Sequence, residues 1–196
     1  MSPGWATSMK LIFEPASLAT GFWSRLFARV VAAVTKGNFQ HCEIWIDGPS
    51  VFAYCFSSAL AQGGTRYITR DVRGLGCTLR ETGILMGGTR YITRDVRGWS
   101  SIDIPNTETV TRSDVYAAIN LALRATNEPY DVLGLLAFVV PFRTHVPGEA
   151  FCSAADLQAL EALKDANLNN PPWTYSPNDL ARWCVEMWGG KMEVIT

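Results

Sequence analysis

The chain has 196 residues, 48% of them hydrophobic and 18% charged, with a formal net charge of -1, which describes one domain with its own core. Seventeen basic residues against 18 acidic ones leave no global field to gather a polyanion, so nucleic-acid binding is not expected. The longest central apolar run, Val132 to Val140 interrupted by Gly134, falls short of the roughly 18 residues that cross a bilayer.

The first ten residues, MSPGWATSMK, lack the basic flank, apolar stretch and small-residue cleavage site of an export signal. Five cysteines without paired spacing read as free thiols. Together these point to a reducing location, either the cytoplasm or a phage virion in the host cytoplasm. They give no indication of oligomeric state.

Lys10 to Phe13 is a short apolar run closed by Glu14-Pro15 and predicts a strand. Leu18, Phe22, Leu26, Phe27, Val30, Val31 and Val34 recur at helical spacing before a Gly37-Asn38 stop, predicting a helix whose stripe is core. His41 to Ile46 and Val51 to Phe56, joined by Asp47-Gly48-Pro49-Ser50, read as an antiparallel hairpin.

GGTRYITRDVRG at 63–74 then recurs letter for letter at 87–98, a displacement of 24 residues. This is a tandem duplication or an artefact of sequence assembly. Arg66, Arg70, Arg73, Arg90, Arg94 and Arg97 supply six of the 17 basic residues. They suit either a phosphate-binding face or, the preferred reading, a solvated strand face whose charges discourage edge pairing. Trp99 to Ile104 reads as a further strand closed by Pro105.

Helices are expected from Ser113 and, short and buried, over Tyr130 to Val140. Leu157, Leu160 and Leu163 share one side of a helix beginning near Cys152, with Ser153 and Asp156 matching the S-x-x-D capping pattern. Ser176-Pro177-Asn178-Asp179 opens a last helix through Trp188, stopped by Gly189-Gly190.

A nucleophilic thiol needs its pKa lowered, and a helix N-terminus does so through unpaired N–H groups and the positive end of the dipole. Of the five cysteines Cys152 has that position; Cys42 and Cys55 lie in strands, Cys184 in a helix and Cys77 between the repeat copies, and these four read as inert thiols. The base must be His41 or His145. His41 opens a strand, with Glu43 two residues on and so on the same face, able to orient the ring. His145, in a loop between Pro141 and Pro147, ranks second. Metal binding by His41, Cys42 and Glu43 is disfavoured because adjacent strand residues point to opposite faces, and no cofactor is expected.

The strings His41-Cys42-Glu43-Ile44-Trp45-Ile46, Phe56-Ser57-Ser58, a Gly-Gly-x-Arg segment, Tyr130-Asp131-x-Leu133-Gly134-Leu135-Leu136, Phe151-Cys152-Ser153 and Ser176-Pro177-Asn178-Asp179-Leu180 together resemble the circularly permuted papain-like hydrolases. The group they are most similar to is the YiiX-like branch of the NlpC-type superfamily, which includes the lecithin:retinol acyltransferase relatives. Permutation would account for the histidine preceding the cysteine.

The resemblance spans about 38–180 and implies an α+β fold, a single domain over 1–196, in which a small antiparallel sheet packs against the helix carrying the nucleophile. It implies Cys152 as nucleophile, His41 as general base and Glu43 as third member, although many relatives take that member from the neighbouring strand. The implied partner is a peptide, amide or acyl-ester substrate, such as a cell-wall peptide or a lipid, hydrolysed through a thioacyl intermediate. A non-catalytic structural or binding protein of the same fold, such as a phage component, is the alternative. An acyltransferase at a membrane surface is a third reading, with Trp5, Trp23, Trp173, Trp183 and Trp188 as candidate exposed groups. Ala154-Ala155 stand where family members often carry Glu and an apolar residue, and the duplication falls beside the implied sheet.

Overall fold

A strand buried on both faces must be apolar at consecutive positions, and the segment MKLIFEP is: Leu11, Ile12 and Phe13 are all 0% exposed. In the computed structural model, which describes residues 9–47, 52–59, 64–71, 96–107, 152–164 and 170–196, this strand, β1 (Met9–Pro15), lies within an antiparallel sheet. The other strands are β2 (Phe39–Asp47), β3 (Phe52–Ala59), β4 (Gly64–Asp71), β5 (Ser100–Asp103) and β6 (Glu193–Val194). Their spatial order is β4-β3-β2-β1-β5-β6. Three α-helices occur among the described residues: α1 (Phe22–Val34), α2 (Cys152–Lys164) and α3 (Pro177–Trp188). The class is α+β, with a small antiparallel sheet. No described helix is long and apolar enough to cross a membrane.

The pleat sorts the core into two layers. Leu11, Phe13, Cys42, Ile44 and Ile102 pack with α2 and α3 through Leu157, Leu160, Leu180 and Cys184. Ile12 and Trp45 face the other way, onto Val96 and Trp99. The expected hairpin is present, with Ile44 opposite Phe56 and Asp47 opposite Ala53. The first repeat copy supplies β4, at an edge of the sheet; 72–95, which contains most of the second copy, lies outside the described residues. So do the helices expected from Ser113 and over 130–140, together with His145 and Cys77.

The α1 stripe departs from the expectation of core. The helix starts only at Phe22, because a short 3-10 turn (Ala16–Leu18) ends at Ala19 and Gly21, at φ +82, stands outside the helix as its N-cap. Ala28 and Val31 are buried, whereas Phe22, Leu26 and Val30 are 72%, 46% and 48% exposed. With apolar residues around most of α1, helical spacing shows the period but not which arc meets the sheet.

α3 agrees with its signals. The Ser176 hydroxyl accepts from the Asp179 N–H at 3.1 Å while the Asp179 carboxylate accepts from the Ser176 N–H at 3.1 Å, a complete capping box. Gly189 closes the helix at φ 64. Asn178, in its first turn, accepts from the Phe39 N–H (2.9 Å) and donates to the Phe39 carbonyl (2.9 Å) and Thr35 Oγ1 (2.6 Å). A Cβ on Gly37 would overlap the Asn178 side chain, so this close approach requires glycine. Asn178 thereby pins the turn between α1 and β2, two residues before His41.

Candidate active site

His41 and Glu43 project from the same face of β2, as period-two geometry requires, and the His41 Nε2 lies 3.2 Å from Glu43 Oε1. Glu43 is 0% exposed. The indole of Trp99 meets the imidazole edge-on, with centroids 6.3 Å apart and planes at 85°. A carboxylate partner and an aromatic wall fix a ring that would otherwise have two soft torsions.

Cys152 is the first residue of α2, where the helix N–H groups have no intrahelical partner. Cys42 and the His41 ring, both on β2, lie near enough to its sulfur to bias its ionisation. His41 and Cys42 point to opposite faces, so a single atom reaches both only at the strand's margin. The strand register supplies that margin: the β2–β3 ladder ends at Ile44 opposite Phe56, and β2 continues past it through His41 to Phe39.

The electrostatics follow from these contacts. The hydrogen bond from Cys42 holds the Cys152 thiol well below its usual pKa against the opposing effect of burial, and the His41 charge and hydrogen bond lower it further. For His41, burial works to lower the pKa, but the Cys152 sulfur and then Glu43 outweigh it and push the value up to about 10. The favoured state is a thiolate–imidazolium pair. Burial pushes the Cys42 thiol up, and its bond to Cys152 adds to that. Cys184, 0% exposed in α3, is likewise raised by burial, as befits a core thiol.

The expected cap at Ser153 and Asp156 is not formed. Ser153 lies inside the first turn of α2, so it lacks the extended backbone of an N-cap, and its hydroxyl donates instead to the Tyr175 carbonyl at 2.6 Å. Asp156, one turn beyond Cys152, is 0% exposed, and neither carboxylate oxygen has a hydrogen-bond partner. Burial pushes its pKa well above the carboxylate range. The Cys42 thiol is near enough for each to bias the other's ionisation.

Sequence reasoning brought Cys152, His41 and Glu43 together and missed Cys42, Trp99 and Asp156. Spacing of four residues from Cys152 was a usable signal for Asp156. For Cys42 the alternation rule pointed the wrong way, because it does not say where the ladder ends. Among the described residues, no three His, Cys, Asp or Glu side chains are arranged to hold a metal ion.

Access to the sulfur is narrow: Cys152 is 1% and His41 8% exposed. The open groove nearest α3, about 330 Å³, is lined by residues that include Phe39, Asn178, Ala181 and Met192 and does not reach Cys152. Comparison with known protein families, curated proteins and solved structures returns no match.

Proposed function

We propose that this chain is a cysteine hydrolase of the circularly permuted papain-like class. The observation that carries the reading is the His41–Glu43 pair at 3.2 Å on β2, beside a Cys152 at a helix start whose ionisation His41 and Cys42 favour. The thiolate attacks the carbonyl carbon of an amide, ester or thioester, and backbone N–H groups in the first turn of α2 receive the developing oxyanion. His41 gives its proton to the leaving amine, alcohol or thiol as the carbon–heteroatom bond breaks, leaving a thioacyl enzyme. His41 then takes a proton from water as the water oxygen attacks the thioester; the acid departs and the Cys152 thiolate returns. Glu43 keeps the imidazolium oriented throughout. Substrates of this class include cell-wall peptides and lipid acyl bonds.

A second reading draws on the burial of the sulfur: a protein that keeps this arrangement for binding or structure, as a phage component would. Mass spectrometry after incubation with p-nitrophenyl esters and peptide amides separates the two. The enzyme reading expects an acyl adduct on Cys152 in the parent and none in Cys152→Ala; no adduct and no turnover with any of these substrates contradicts it.

A further inference from the structure

The outward arc of α1 is apolar with a cationic border. At about 100° per residue, Phe22, Leu26, Val30 and Ala33 fall within one arc of roughly 80°, opposite the buried Ala28, Val31 and Thr35. Arg25 and Arg29 adjoin that arc on one side, and Lys36 follows just past the helix end, all exposed. Residues 15–42 contain no Asp or Glu, and none of these three cations makes an ion pair among the described residues. The Arg25 Nε donates to the Ala19 carbonyl at 3.2 Å, which draws the side chain along the helix flank.

We propose that α1 is an interfacial anchor that lays the Phe22–Leu26–Val30 face on an anionic lipid bilayer. A helix lying in the membrane plane needs an apolar face and basic side chains along its border, whose stems follow the acyl boundary while the charges reach lipid phosphates. Charge complementarity favours lipid over a second copy of the chain: the cationic border matches lipid phosphates, whereas two such faces packed antiparallel about a two-fold axis would bring their arginine rows together. The anchor is rigidly joined to the sheet. Asn178 ties Thr35 at the end of α1 to Phe39 at the start of β2, so docking would hold the His41 end of β2 at a fixed height above the surface. The inference stands on α1 alone and does not depend on Cys152 being a nucleophile.

The test is co-sedimentation of the full chain with phosphatidylcholine vesicles, with and without phosphatidylserine. Partition is expected to be at least about tenfold stronger on the anionic vesicles and to fall with added salt. The double substitution Leu26→Ser, Val30→Ser is expected to lower it about tenfold or more without moving the thermal midpoint, and Arg25→Glu with Arg29→Glu to abolish the preference for anionic lipid. Absence of partition, or equal partition by the Ser variant, overturns the proposal. A parent dimer that the Ser variant dissociates, with no vesicle binding, assigns the face to a second copy and also overturns it.

Discussion

The chain contains two S-x-x-D sequences at helix starts, and they end in opposite situations. At Ser176 and Asp179 both side chains close the helix end, the hydroxyl also donating to the carboxylate at 2.6 Å, and Asp179 holds Arg182 from the exposed side. At Ser153 and Asp156 the pattern has slid two positions, into α2, the hydroxyl bonds a carbonyl 22 residues away, and the acid is sealed beside Cys42 with no hydrogen bond. What differs is the residue before the serine. Cys152 is already helical, so Ser153 stands inside the helix and its hydroxyl cannot serve as the N-cap that Ser176 provides. A motif that stabilises one helix is left unused at the other, where Cys152 meets His41.

The largest effects should break the α2 side and leave the α3 side alone. Cys152→Ala or His41→Ala should reduce hydrolysis by about a thousandfold or more with folding intact, measured as turnover of an activated ester alongside circular dichroism. Asp156→Asn should act on stability with a definite sign. The folded Asp156 pKa is raised, so below about pH 4 the acid is protonated in both states and costs nothing extra. Above that the unfolded chain ionises while the folded one resists, and stability is lost as pH rises. Relative to the parent, the variant should gain stability progressively as pH rises above about 4, followed by urea unfolding at several pH values.

On the α3 side, Ser176→Ala should cost about 1 kcal/mol, nearly independent of pH over the same range. The smallest effect sharpens the contrast from the strand: Cys42→Ala removes the thiol that donates to Cys152. It should slow thiolate alkylation near pH 6 by about tenfold while leaving hydrolysis measurable.

Much of this was legible because local signals and tertiary packing agreed. Ser176, Pro177 and Gly189 bounded α3 correctly, and the turn composition at 47–50 separated β2 from β3 in the expected hairpin. His41 and Glu43 were paired by the two-residue period alone. What was not legible depended on where elements end against one another. The outward turn of Phe22 and Leu26 follows from which arc of α1 meets β2. The joining of Cys42 to Cys152 follows from β2 outrunning its ladder with β3. Neither leaves a periodic mark in the sequence. The role of Asn178 was hidden for the same reason, since its two partners, Phe39 and Thr35, lie 139 and 143 residues away.

The central claim is that Cys152 and His41 form a thiolate–imidazolium pair. The direct measurement is a pH titration of ultraviolet thiolate absorbance, which needs no reagent to reach the buried sulfur, in the parent, Cys152→Ala and His41→Ala. The account predicts one thiolate already present at about pH 6 in the parent, absent in Cys152→Ala and appearing only at higher pH in His41→Ala. The pairing energy should hold between the lowered thiol pKa and the raised imidazole value, fading as pH rises through about 10 and His41 loses its proton. A parent whose thiols all ionise together near pH 8.5 or above, with no change in His41→Ala, would contradict it.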